Sequence, residues 1–187
     1  MLNFRSIDPL IELAFGEDIG GGDITTESTI LSTQAARGTI VAESNGVIAG
    51  LPIAERVFEK IDPSLHFQAS VTDGESVQRM TSIARVEGSA TSILTAERIA
   101  LNFLQRLSGT ATLTGQFVAA IAGYNVKIID TRKTTAGWRT IQKYAVRVGG
   151  GHNHRFGLYD GVLIKDSHII AAGGVAQAVE RARSVAP

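Results

Sequence analysis

VKIIDTRKTT, residues 126–135, is the stretch whose reading decides the fold. Residues 126–130 form an apolar, β-branched run of strand length that passes directly into Thr131-Arg132-Lys133-Thr134-Thr135. Downstream, residues 138–148 carry helical spacing, residues 161–165 form a second short apolar run, and residues 175–185 read as a further helix. Strand, helix and strand in that order predict a βαβ crossover, whose two strands run parallel. The segments after the strands then share one face, so 131–135 and Lys165-Asp166 are expected together. In α/β barrels that face carries the chemistry.

Upstream of residue 123 the pattern is different. Asp8-Pro9 has the chemistry of a cap and first helical position, so a short helix is predicted from there to about Gly16. The stretch 17–26, with Gly20, Gly21 and Gly22 between Asp18 and Asp23, lacks the calcium-loop spacing and reads as a surface loop. Residues 38–43 and 46–50, joined by Asn45-Gly46, predict a hairpin. Pro52 opens a helix through Lys60, and strands are expected over 65–71 and 82–87 around an Asp73-Gly74 turn. Apolar residues from Ile93 to Leu107 recur three or four apart, predicting a long buried helix that Ser108-Gly109 breaks before a second run ending at Gly123. The pattern predicts a strand-rich domain with helices on one side, with a domain boundary near Gly123.

Composition narrows the chemistry. The 187 residues include no cysteine, which removes disulfides, thiolate zinc sites and cysteine nucleophiles. No apolar run is long enough for a membrane span, the first ten residues lack a secretory layout, and the net charge is zero. The expectation is a cytoplasmic protein with neither membrane nor nucleic acid as partner. Charge is nevertheless uneven: residues 127–166 hold eight Lys and Arg against three Asp and Glu, a candidate anion site or simply solvated surface.

Three places could carry that anion chemistry. Thr131, Arg132 and Lys133 put a forked guanidinium, a compact ammonium and a hydroxyl on one turn, an inventory that suits carboxylate or phosphate. Gly149-Gly150-Gly151-His152-Asn153-His154-Arg155 lacks the preceding strand of a dinucleotide fingerprint; its glycines either admit a ligand to the backbone or make a tight connection. His152 and His154 have no third partner for zinc, so an imidazole bonded to an anion or to backbone is the better reading, and no metal site is expected. Lys165, at the end of the second predicted strand, could form a Schiff base or bind an anion. Arg98, inside an apolar helix, needs either a ligand or a carboxylate such as Glu97.

Taken together, several runs resemble quinolinate phosphoribosyltransferase in the family's own order. They are Glu17-Asp18 with 22–26, 46–50, Glu97-Arg98 with Leu101-Asn102, 107–112, 130–135, Lys143-Tyr144-Ala145, 149–155 and 163–166. Each is weak alone, and the ordered set is what identifies the family. The resemblance implies an N-terminal α/β sandwich over residues 1–110 followed by the first part of a TIM-like α/β barrel over 111–187, in a homodimer. It implies phosphoribosyl transfer from phosphoribosyl pyrophosphate to quinolinate with decarboxylation, giving nicotinate mononucleotide. By matching motif, Arg98, Thr131, Arg132, Lys133, His154, Arg155 and Lys165 would bind substrate, Arg98 across the dimer, with Lys133 and Lys165 at the catalytic phosphates. Magnesium would accompany phosphoribosyl pyrophosphate, on acidic residues expected beyond the end of this chain.

Two departures from the family pattern, Ala136 for proline and Trp138 for a smaller apolar residue, remove no cation. Ending at Val185-Ala186-Pro187 leaves two expected barrel strands where a closed barrel takes about 250 residues. The expectation is therefore a fragment or truncated form. The other readings are a pyrophosphorylase-like protein of molybdate operons, against which His154-Arg155 and Lys165 argue, and a non-catalytic anion-binding or dimerisation module.

Overall fold

Helix α1, Phe4–Asp18, starts earlier than its proline suggests, because Asn3 caps it by accepting the Arg5 N–H at 3.1 Å. The predicted start at Asp8-Pro9 is overturned. Asp8 is turned sideways onto Arg56, which donates from Nη2 at 2.7 Å and from Nε at 3.1 Å. A carboxylate held in a guanidinium fork is not available to the backbone. Pro9 sits inside the helix and faces solvent, where water can serve the carbonyl that it leaves unbonded. The computed structural model describes residues 2–185; the terminal Ala186-Pro187 lie outside the described residues.

The glycine-rich loop is shorter than expected, since α2, Ile24–Thr29, begins inside it. Asp23 is the cap, accepting the Thr26 N–H at 3.0 Å and the Thr26 hydroxyl at 2.5 Å. Beyond it, strands β1 (Ala35–Val41) and β5 (Ser82–Ser89) pair antiparallel, and β3 (His66–Ala69) adds to the other edge of β5. The predicted hairpin across Asn45-Gly46 is not formed. β2, Gly46–Val47, pairs instead with β4, Ser76–Val77. A two-residue type I′ turn needs positive φ at both central residues, and neither Asn45 nor Gly46 has it. The Asn45 side chain accepts the Arg79 N–H at 2.9 Å, which draws the turn toward the β4 end.

Two helices pack against these strands. α3, Leu51–Ile61, has Pro52 in its first turn as expected and buries Ile53, Ala54, Val57 and Phe58. α4 runs without interruption over Ala90–Ala120, so the break predicted at Ser108-Gly109 does not occur. A mid-helix glycine costs about 1 kcal/mol relative to alanine. Burying Leu107, Ala111 and Thr114 on either side outweighs that. Ser108 is used laterally: its hydroxyl accepts the Ala49 N–H at 3.0 Å and donates to the Ala49 carbonyl at 3.3 Å. One core joins α1, α3, α4 and α5 (Arg139–Val148) through Ile7, Ile11, Val57, Phe103, Leu107 and Ile141.

Trp138, next to α5, stacks on Phe103 of α4 with ring centroids 5.1 Å apart. Asp73 ties the same helix to α3. Its carboxylate accepts the N–H groups of Gly50 and Leu51 at 2.7 and 3.0 Å and the Tyr144 hydroxyl at 2.6 Å. Burial first, and the neighbouring Asp73 next, push the Tyr144 hydroxyl above its usual range.

The chain forms two compact units, Met1–Asp130 with Thr134–Asn153, and Thr131–Lys133 with His154–Pro187. In the first, the predicted strand at 126–130 is reduced to one parallel bridge between Ile129 and His152. In the second, residues 161–165 are irregular, so the predicted second strand is absent among the described residues. A strand exists only as part of a ladder, and no strand is assigned beside this run to supply one. That unit consists mainly of α6, Asp166–Ala172, and α7, Val175–Val185, joined at Gly173-Gly174, both with positive φ. α7 has the predicted bounds, whereas α6 was not foreseen.

Candidate functional site

The segment 128–130 is held in place by two backbone bonds. Asp130 donates its N–H to the His152 carbonyl at 3.0 Å, and His152 donates to the Ile128 carbonyl at 2.9 Å. Thr131 then turns the chain, its hydroxyl accepting the Lys133 N–H at 3.0 Å. Arg132 is half-buried, whereas Thr131 and Lys133 are exposed. The return of the loop is fixed to α5. Gln142 accepts the Thr135 N–H at 2.9 Å and donates to the Thr135 hydroxyl at 3.1 Å, and Arg139 donates to the Thr134 hydroxyl at 3.1 Å.

The larger unit holds a buried ion pair that sequence reasoning missed. Lys143 of α5 reaches Asp130 at 2.5 Å, with side chains 4% and 7% exposed. Asn153 donates to the second Asp130 oxygen at 2.5 Å and to the Lys143 carbonyl at 2.9 Å. Lys143 breaks no hydrophobic period and is only two residues from buried Ile141, so spacing gave no signal. A carboxylate ending an apolar run was the available sign.

The glycine run resolves toward packing. A Cβ on Gly149 would meet the Ala111 carbonyl of α4 and come within 2.8 Å of the Thr114 Cβ. One on Gly151 would come within 2.8 Å of Val146 and 2.9 Å of Thr114. These glycines let the end of α5 lie against α4.

Six of the seven predicted binding residues, Thr131, Arg132, Lys133, His154, Arg155 and Lys165, fall in the smaller unit. His154 and Arg155 are half-buried. Arg155 donates from Nη1 to the Gly161 carbonyl at 2.8 Å, while its Nε is buried and makes no hydrogen bond among the described residues. An orphaned buried donor on a guanidinium is what a carboxylate would satisfy. Lys165 is exposed at the head of α6, and its N–H donates to His168 Nδ1 at 3.0 Å. A hollow of about 530 Å³ in this unit is lined by Arg155, Tyr159 and His168, and the other five predicted residues do not line it. Arg98 stands apart, on α4 of the larger unit. It is exposed, against the sequence expectation of burial, and among the described residues it pairs with no carboxylate, Glu97 included.

A helix-backed antiparallel sheet, followed by a cation-rich segment of an α/β protein, is the class that the fold and these residues define. Residues 23–108 match the family model described as "Quinolinate phosphoribosyl transferase, N-terminal domain", and residues 110–187 match its C-terminal counterpart. The chain is 48% identical over 181 residues to a probable carboxylating nicotinate-nucleotide pyrophosphorylase of Synechocystis, covering 97% of this chain and 61% of that protein. It is 44% identical over 185 residues to the Bacillus subtilis protein of the same description, covering 99% and 64%. The crystal structure of NadC from Streptococcus pyogenes superposes with a TM-score of 0.96 at 41% identity, covering all of this chain and 66% of that one.

This chain belongs to the quinolinate phosphoribosyltransferase family. It has the family's N-terminal α/β sandwich followed by the first part of its α/β barrel. It spans about three fifths of the length of the curated relatives it matches.

Proposed function

We propose that the full gene product transfers the phosphoribosyl group of phosphoribosyl pyrophosphate to quinolinate, with decarboxylation, to give nicotinate mononucleotide for NAD synthesis. The observation that carries the reading is the gathering of Arg132, Lys133, His154, Arg155 and Lys165 into one compact unit, with the buried Arg155 Nε lacking a hydrogen bond among the described residues. Arg132, His154 and Arg155, with Thr131, hold the two carboxylates, and Lys133 and Lys165 face the phosphates. Arg98, exposed and without an ion pair among the described residues, completes the site in the second subunit of a homodimer.

In this reading the pyridine nitrogen attacks the anomeric carbon as the bond to pyrophosphate breaks, and the pyrophosphate oxygen takes the electron pair. Cations that neutralise the departing anion stabilise that step more than they stabilise the ground state. The quaternised nitrogen then accepts the electrons released when the adjacent carboxylate leaves as carbon dioxide, and a solvent proton takes the vacated carbon. Orientation by the fixed cations, not a general base, is the protein's contribution.

Magnesium would arrive with phosphoribosyl pyrophosphate. Among the described residues no group of three or more His, Asp or Glu side chains could hold a metal ion, and no step above runs through one. Residues 1–110 serve as the sandwich domain and 111–187 as the catalytic part, in a cytoplasmic protein. A boundary there falls within α4, and the break between the two family matches, at 108 and 110, supports it. No helix among the described residues is long and apolar enough to cross a membrane.

The test incubates the full gene product with quinolinate, phosphoribosyl pyrophosphate and magnesium, and measures nicotinate mononucleotide and carbon dioxide in equal amounts. Quinolinate binding without either product would favour an anion-binding module.

A further inference from the structure

We propose that Asp130, Lys143 and Asn153 form a positioning clamp that presets the spacing of the two cation-bearing segments, 131–133 and 154–155. The inference rests on the function proposed above for those segments. Lys143 and Asp130 are buried against each other at 2.5 Å, and Asn153 spends its amide donors on Asp130 and on the Lys143 carbonyl. The backbone bonds between Asp130, His152 and Ile128 complete the junction. Asp130 is covalently followed by Thr131, and Asn153 by His154. A knot built on one buried ion pair therefore fixes where both segments begin, and consecutive Cα atoms are about 3.8 Å apart.

A buried ion pair is a poor device for stability alone, since an apolar pair of similar volume often serves as well or better. It is a good device for register, because the ions must meet in one geometry. Forked recognition of a carboxylate tolerates displacements of about 0.5 Å, and a misplacement of about 1 Å can cost roughly a hundredfold in rate. Through its ammonium on Asp130 and its carbonyl under the Asn153 amide, Lys143 acts as a positioning residue.

The experiment compares Lys143→Met, the double variant Asp130→Leu with Lys143→Met, and Asn153→Ala in the full gene product. Unfolding temperature is read by Trp138 fluorescence, amide hydrogen exchange over 128–133 and 152–155, and affinity by titration with quinolinate. Lys143→Met lowers the unfolding temperature by taking the cation away from a buried carboxylate. The double variant regains the temperature, yet the backbone amides at positions 130 and 152 exchange at least about tenfold faster and quinolinate binds about tenfold to a hundredfold more weakly. Asn153→Ala, which keeps the ion pair, gives the same loss of protection with a small change in unfolding temperature. It also decides the matter if the double variant does not fold.

Recovery of stability, slow exchange and affinity together in the double variant, or unchanged exchange and affinity in Asn153→Ala, overturns the clamp. If the unaltered protein binds no quinolinate, the functional reading fails, and the exchange data alone judge the clamp: faster exchange supports it and retained protection sinks it.

Discussion

Replacing Tyr144 with phenylalanine deletes one oxygen, the one that donates to Asp73 at 2.6 Å. A hydrogen bond to a charged acceptor contributes about 1.5 to 3 kcal/mol, and the half-buried position of Tyr144 puts the expected loss near the lower end, about 1.5 kcal/mol. Asp73→Ala costs more. It also strips the N–H groups of Gly50 and Leu51 at the head of α3, a capping loss of about 0.5 to 2 kcal/mol, for a total near 3 kcal/mol. In the Asp73→Ala background, Tyr144→Phe is expected to cost only a few tenths of a kcal/mol, so the cycle returns a coupling of about 1.2 to 1.5 kcal/mol.

The assay is urea unfolding followed by the single tryptophan, Trp138, whose indole stacks on Phe103 of α4. The pH dependence gives a second reading. The Tyr144 hydroxyl titrates higher in the folded chain than its ordinary value near 10, so the stability it contributes is whole below about pH 10 and is lost as pH rises through the folded value. Unaltered protein should thus lose more stability above pH 10 than Tyr144→Phe does. Additive losses in the cycle, or equal alkaline behaviour, would refute the argument that Asp73 joins α5 to α3 through this hydroxyl.

Other outcomes follow from the same geometry. Gly149→Ala should destabilise by about 1 to 3 kcal/mol, because the new methyl meets the Ala111 carbonyl and Thr114; denaturant titration reads it. Gly109→Ala should stabilise by about 0.5 to 1 kcal/mol, since a Cβ there meets nothing within 4 Å inside a continuous helix; a loss would reinstate the break at Ser108-Gly109. The Arg56 fork holds the Asp8 carboxyl below its usual range, so that contribution is present above about pH 4 and fades as pH falls through the folded value. Acid unfolding of Arg56→Ala should show a flatter decline than the unaltered chain. Arg155→Ala should weaken quinolinate binding by about 2 to 5 kcal/mol in calorimetry, with little change in unfolding temperature.

Helices were legible in sequence where burial sets the period. The start of α3 was marked by Pro52, and α7 has the bounds predicted for it. What misled were residues whose polar chemistry is satisfied by distant partners. Asp8 looked like a cap but belongs to Arg56, Ser108 looked like a helix break but bonds Ala49, and Asn45-Gly46 looked like a hairpin but answers to Arg79. Each is local propensity overridden by a contact more than thirty residues away. The cations of the proposed site stand out because they crowd in sequence. The Asp130, Lys143 and Asn153 knot was not, since its members lie ten or more residues apart and only the fold brings them together. Arg98 was read as buried from the apolar helix around it, yet it lies on the exposed face of α4.

The proposal that several fixed cations grip a doubly acidic pyridine is most directly examined by calorimetric titration of the full gene product with quinolinate and, separately, with nicotinate, which carries one carboxylate. Quinolinate is expected to bind at least about a hundredfold more tightly, since losing one charged partner leaves a buried cation unmatched at a cost of about 2 to 5 kcal/mol. Equal affinity for the two acids would contradict it.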